Sequence, residues 1–94
     1  GVIDYTLRRP VVRRDGAEWV VTAQLARVVG GYRHPMPVGV RTLAGWTIVR
    51  GDAAKDAQVV EIRVNSAPDA IWLDPFGNTD SPFASHYRLP LSPR

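Results

Sequence analysis

Hydrophobic and polar residues alternate along most of the chain, and a period of two is the pattern of β-strands. A clear example lies between residues 58 and 64, where Val60, Ile62 and Val64 share one face. No stretch has the longer period of an amphipathic helix, and the polar segment 51–56 has room for a single helical turn only. The sequence therefore predicts an all-β fold.

Turn signals divide this pattern into about seven short strands. Asp15-Gly16 predicts a type I′ hairpin, a turn in which both central positions need positive φ. Gly30-Gly31 and Ala44-Gly45 mark further breaks, and Pro37 near the start of a strand predicts an edge strand or a bend. The predicted strand segments are residues 2–7, 11–14, 17–29, 36–40, 46–50, 58–64 and 70–73, and residues 87–91 are the candidate for an added edge strand.

Short strands with turns about every ten residues predict a sandwich of two antiparallel sheets. On the long predicted strand 17–29, Trp19, Val21 and Leu25 share one face while Thr22 lies on the other, so one face is expected to be buried and one exposed to water. A chain of 94 residues has room for one core. We therefore expect a single immunoglobulin or fibronectin III-like domain over residues 1–94.

Composition narrows the classes of function. The chain has no cysteine, which excludes a disulfide framework or a zinc ribbon and leaves the cellular compartment open. Its net charge of +3 comes with arginines that are mostly spread singly among valines and acids, outside a cluster at Arg8, Arg9, Arg13 and Arg14. No apolar run approaches the ~18 residues of a membrane span. We predict neither a nucleic-acid nor a membrane partner.

The segment 71–80, IWLDPFGNTD, places three oxygen donors close together after an apolar run: Asp74, Asn78 and Asp80. Calcium needs six or more oxygen ligands, and the spacing here does not match the D-x-[DN]-x-[DN]-G pattern of an EF-hand loop. We interpret Asp74-Pro75 as the end of a strand, because proline cannot continue a ladder. No metal ligand is predicted.

Motifs for catalysis are absent as well. His34 and His86 have no second ligand at a metal-binding interval, and the chain lacks G-x-S-x-G, H-E-x-x-H, the P-loop and the dinucleotide fingerprint. We therefore predict no catalytic residue and no cofactor, and expect a non-enzymatic domain. The enzyme alternative is a small hydrolase that would use Asp74, Asp80 and His86.

Aromatic residues give the best candidate site. Trp72 alternates with Ile71 and Leu73, so it lies on the opposite face of its strand. Three more large aromatic residues follow in an irregular stretch, and a lone domain rarely leaves so many uncovered. The candidate interface is Trp72, Phe76, Phe83 and Tyr87.

The order of these features resembles the C-terminal β-sandwich of bacterial zinc metallopeptidases similar to aminopeptidase N, which belong to the gluzincins. The resemblance covers roughly residues 18–80. The segment after Pro75 departs from the D-x-N-x-x-N-N type of continuation in that family. The matching residues are Gly31, His34-Pro35-Met36-Pro37-Val38, Val40, Ala44-Gly45-Trp46, Ala67-Pro68 and Leu73-Asp74-Pro75.

This resemblance implies a non-catalytic accessory domain, excised from a longer chain, that packs on a peptidase domain of the same protein. That longer chain would be secreted or anchored outside the cytoplasm. No catalytic residue carries over, because the zinc motif of the peptidase is missing here. The alternative is a free-standing recognition module that binds a peptide by strand addition or a glycan on an aromatic face.

Overall fold

The computed structural model of the protein describes residues 4–76 and 88–91. Within these ranges the fold is all-β: six strands of four or more residues form two antiparallel sheets of three strands each, and a three-residue strand extends the second sheet. The first sheet has the order β1-β2-β5 and the second β4-β3-β6-β7. The strands are β1 (Tyr5–Asp15), β2 (Glu18–Arg27), β3 (Pro37–Thr42), β4 (Gly45–Arg50), β5 (Ala57–Val64), β6 (Ala70–Leu73) and β7 (Arg88–Pro90).

The two sheets bury one hydrophobic core between them. Both contribute alternate residues, as the period of two predicts. Trp19 and Val49 pack against the margin of this core. The core is formed by Tyr5, Leu7, Val21, Ala23, Leu25, Met36, Val38, Val40, Val60, Ile62, Val64, Ile71 and Leu73.

The first hairpin forms where Asp15-Gly16 predicted it, but with a different turn. Asp15 pairs with Glu18, which leaves Gly16 and Ala17 as the two loop residues. Gly16 has φ 62°, whereas Ala17 is not among the residues with positive φ. A positive φ at the first central position alone is the pattern of a type II′ turn, so the type I′ prediction is wrong.

The two predicted strand segments at the start of the chain form one strand, β1, with an irregularity in its middle. The register with β2 shifts between Arg8 and Val11, and Arg9 within this stretch has φ 55°. A bulge accommodates Pro10, which has no N–H for the ladder. The bulge therefore keeps the inward faces of both halves of β1 on the core.

Pro37 does not mark an edge strand, because β3 lies between β4 and β6. Proline is tolerated as the first residue of a strand, and the Pro37 carbonyl still accepts a hydrogen bond of 2.8 Å from the N–H of Asp74.

The connection at 51–56 forms a turn and no helix. Its backbone is held by the Asp52 carboxylate, which accepts from the N–H of Ala54 at 2.9 Å.

Candidate functional site

Three aromatic rings form a cluster on the outer face of the second sheet. The rings of Trp46 and Trp72 meet edge to face, with centroids 5.4 Å apart and an angle of 77° between their planes. Phe76 meets Trp46 in the same manner at 6.0 Å and 74°. Edge-to-face pairs stabilise by about 1 kcal/mol beyond the burial of their surface. The cluster of Trp46, Trp72 and Phe76 is called the aromatic face below.

A glycine at the centre of β3 permits this arrangement. Gly39 pairs with Ile48 on one side and with Trp72 on the other, so neighbouring side chains close over its bare backbone. A Cβ at this position would lie 2.6 Å from the Ile48 side chain, 2.8 Å from the Pro75 ring and 3.0 Å from the Trp46 ring. The aromatic face therefore rests directly on the main chain of β3.

Asp74 brings the end of the face into place. Its backbone adopts φ 48°, a left-handed conformation that aspartate tolerates better than most residues. This turn follows the last residue of β6 and positions the ring of Pro75 over Gly39. Phe76 comes next and is 59% exposed.

The structure places the predicted interface residues as follows. Trp72 lies opposite the buried Ile71 and Leu73, as the alternation predicted, but Trp46 covers it, so that it is half-buried rather than open. Phe76 is exposed beside it. Phe83 and Tyr87 lie outside the residues for which side chains are described, and the interface role of all four residues stays a prediction.

Trp46 belongs to this site but was not selected from the sequence. The signal was present, because Trp46 and Ile48 alternate with Val49, which packs against the core. Period two therefore places Trp46 and Ile48 on the outer face of β4. The sequence does not reveal that β4 pairs with β3 and that β3 pairs with β6. These two pairings bring Trp46 close to Trp72.

The oxygen donors of the segment 71–80 do not form a described site. Asp74 is fully buried at the end of β6, which agrees with its interpretation as a strand end. Asn78 and Asp80 lie outside the described ranges. Within those ranges no group of three His, Cys, Asp or Glu side chains is arranged to hold a metal ion, and no helix is long and apolar enough to cross a membrane.

His34 takes part in a local network rather than in a catalytic arrangement. Its Nε2 lies 3.5 Å from the Asp4 carboxylate. The carbonyl oxygen of His34 accepts a hydrogen bond of 3.0 Å from the Tyr5 hydroxyl. The backbone N–H of His34 donates to the oxygen of that hydroxyl at 3.2 Å. The other Asp4 oxygen accepts from the N–H of Tyr32. These bonds tie the loop before β3 to the start of β1. His86, the other histidine, is outside the described ranges.

The outer face of the first sheet differs in chemistry, because charged side chains cover it. Arg63 lies 2.8 Å from Asp15, 3.4 Å from Glu18 and 3.6 Å from Glu61, and Glu61 also lies 3.9 Å from Arg13. The hydrogen bond from Arg63, aided by its charge, lowers the pKa of Asp15 below the ordinary value. This set of five charged residues is called the ion network below.

A comparison with protein-family models, with curated proteins and with solved structures finds no match for this chain. The resemblance to the accessory domain of aminopeptidase N-like peptidases therefore stays a prediction that depends on the residues quoted for it. In the part of the chain that the structure describes, the outer face of the second sheet carries the aromatic cluster, while that of the first carries the ion network together with the exposed Val11 and Val59.

Proposed function

We propose that the chain is a non-catalytic accessory domain with a fibronectin III-like sandwich, and that its aromatic face packs on a catalytic domain of the same protein, a zinc metallopeptidase. The observation that supports this most is the exposed Phe76 beside the half-buried pair Trp46 and Trp72. Interfaces between proteins are enriched in aromatic residues and arginine and depleted of other charged residues at their centre.

The strand order supports the fold part of this proposal. In a constant-type immunoglobulin domain the fourth strand extends the sheet of the first, second and fifth strands. Here β4 pairs with β3 on the opposite sheet. A first sheet of three strands and a second of four, with the fourth strand in the second sheet, is the arrangement expected of a fibronectin III-like domain.

Charged residues at the margin of the aromatic face favour a protein partner. Arg41 lies on the same outer face as Trp46, its cross-strand partner, and its Nε bonds Asp69 at 2.9 Å. A polar pair beside an apolar centre matches the anatomy of an interface, in which a polar rim surrounds a dry core. We expect Phe76 to be the residue that gains most cover when the partner docks.

The coding sequence on either side of the chain is the first test. A peptidase domain with an H-E-x-x-H motif in the same reading frame is the expected result. A start codon directly before residue 1 together with a stop codon directly after residue 94 would contradict the accessory role, because no catalytic domain could then share the chain.

Hydrogen exchange then locates the docking surface. The amides of β4 and β6 should exchange more slowly in the parent protein than in the isolated chain, while those on the outer face of β1 and β5 should be unchanged. Phe76→Ser should reduce this protection. Val59→Ser is the matched control, since Val59 is 68% exposed on the first sheet. Protection confined to the first sheet would show that the aromatic face is not the docking surface.

The second candidate function is a recognition module that binds an extended peptide, and one observation favours it. Among the described strands, β4 pairs with β3 alone and has an open side. A groove of about 180 Å³ beside its first residues is lined in part by Gly45, Trp46 and Asn65. This volume is below the roughly 300 Å³ of a small-molecule site. The aromatic rings stand at steep angles to one another, so they offer no flat platform for a glycan.

A further inference from the structure

The open side of β4 has a defined set of hydrogen-bonding groups. In an antiparallel ladder, residues alternate between bonding the neighbouring strand and pointing away from it. The N–H of Gly51 donates to the carbonyl of Met36 at 2.9 Å, and this bond sets the phase of the β3–β4 ladder. It follows that Trp46, Ile48 and Arg50 direct their N–H and C=O groups to the open side.

The other strand edges of the described fold carry features that discourage pairing. β1 has Pro10 and a bulge, and β7 is three residues long and ends in Pro90. β5 carries Glu61 and Arg63, which are engaged in the ion network. Residues 45–49 of β4, in contrast, contain no charge and no proline, and the one charged residue of this strand, Arg50, is its last residue. Proteins ordinarily protect their edges with such features, so an edge that lacks them is suited to a partner strand.

We propose that β4 pairs with β4 of a second copy of this chain, in antiparallel orientation about a two-fold axis at Ile48. In this register Ile48 faces Ile48, and Trp46 of each copy faces Arg50 of the other. All three residues have their backbone groups on the open side, so the pairing forms about six hydrogen bonds. Neighbouring registers bring fewer of these residues opposite one another.

The side chains in this register are complementary. Arg50 is exposed and takes part in no ion pair within the described part of the chain, and Trp46 is a half-buried residue on the same strand. A guanidinium over tryptophan is a favourable cation–π pair, and the chain already contains one, with Arg14 4.4 Å from the ring of Trp19. The two-fold axis repeats the Arg50–Trp46 pair twice, as an isologous interface requires.

The dimer joins two four-stranded sheets into one of eight strands. Their outer faces become continuous. The pairing uses the backbone edge of β4 and the side chains of Trp46, Ile48 and Arg50, so Phe76 takes no part in it and stays exposed on each copy. The dimer is therefore compatible with docking through the aromatic face but does not depend on it. Phe76→Ser should weaken docking and leave the dimer intact, so the two proposals fail separately.

Sedimentation equilibrium of the chain tests the pairing. The mass should rise from 10.4 kDa towards twice that value as the concentration approaches about 1 mM. Ile48→Lys places two ammonium groups opposite each other at the axis and should raise the dissociation constant by at least about tenfold. Arg50→Glu should act in the same direction with little effect on folding, because its side chain is exposed. Val59→Lys, on the edge strand of the other sheet, should have no effect.

A chain that stays monomeric throughout this range would overturn the proposal, and binding of a foreign extended peptide to β4 without self-association would replace it. If Val59→Lys weakened self-association as much as Ile48→Lys does, the contact would lie elsewhere on the molecule.

The register has its own test, since the chain has no cysteine and Ile48→Cys introduces a single thiol. Hydrogen-bonded antiparallel partners have Cα atoms about 5.5 Å apart, within the range of a disulfide. Oxidation should give a covalent dimer of this variant but not of Val59→Cys, and the absence of that dimer would exclude the register.

Discussion

The outer faces of the two sheets have the same geometry and opposite chemistry. Each central strand buries an outward residue, Val20 on β2 and Gly39 on β3. Val20 is flanked by its cross-strand partners Arg13 and Arg63, whereas Gly39 lies beneath Ile48 and two rings. Long charged side chains cover apolar surface while their heads stay in water. An aromatic cover leaves apolar surface exposed.

The side chains on the outer face of the first sheet satisfy one another in water, whereas the outer face of the second sheet is suited to a partner. Arg63 and its carboxylates satisfy one another and present charge to solvent. Such exposed pairs add little to stability. The aromatic face adds more, because ring contacts and burial both favour the folded state, yet Phe76 still has 59% of its surface exposed.

Trp72→Ala should have the largest effect. Removing a half-buried tryptophan deletes the contact with Trp46 and uncovers β3, and we expect a loss of about 3 kcal/mol in the free energy of unfolding. For a domain of this size that loss lowers the Tm by on the order of 15 °C. Chemical and thermal unfolding followed by circular dichroism measure it.

The control for that variant is Phe76→Ala, which removes an exposed ring from the same cluster. We expect a smaller loss of about 1 to 1.5 kcal/mol, because more than half of its surface is already exposed in the folded chain. Equal losses for the two variants would mean that Phe76 and Trp72 contribute alike to the fold, and the distinction between a structural residue and a docking residue would not hold.

Gly39→Ala should have an intermediate effect. The added methyl can displace the flexible end of Ile48, but the rings of Pro75 and Trp46 are rigid and have to shift as units to make room for it. Overpacking of this kind costs about 1 to 2 kcal/mol, and the displaced Trp46 should shift its fluorescence to longer wavelength. Unchanged emission together with higher stability would show that the cover over β3 is loose.

The sequence predicted most of the fold because alternation and turn residues act locally. The strand segments, the hairpin at Asp15-Gly16 and the outward direction of Trp72 all follow from neighbouring residues. Two errors came from non-local facts. Pro37 suggested an edge, but strand order decides which strands lie inside a sheet. The type of the first turn depended on where Asp15 pairs, which the dipeptide alone does not fix.

The candidate site was only partly predictable for the same reason. Trp72 and Phe76 are close in sequence and were found together. Trp46 lies 26 positions before Trp72 and meets it only through the β4-β3-β6 pairing. Likewise, Arg63 and Asp15 are distant in sequence and become partners across the first sheet. Residues that touch through the register of two or more strands carry no mark in the sequence of either strand.

Arg63→Gln should have the smallest effect and a distinctive dependence on pH. In the folded chain the hydrogen bond from Arg63 lowers the pKa of Asp15 below 3.8, its ordinary value in the unfolded chain. The stabilisation is therefore present above pH 3.8 and is lost as the pH falls through the lowered value. Near neutral pH the wild type should have a slightly higher Tm than the variant, and this difference should disappear once the pH falls below the lowered pKa of Asp15.

The control is Arg50→Gln, which removes the same charge from a residue without an ion pair, so its effect on Tm should not change with pH in this way. Added salt should reduce the effect of Arg63→Gln. A difference that persists in acid would mean that Arg63 stabilises the first sheet by covering Val20 with its alkyl stem rather than by its charge.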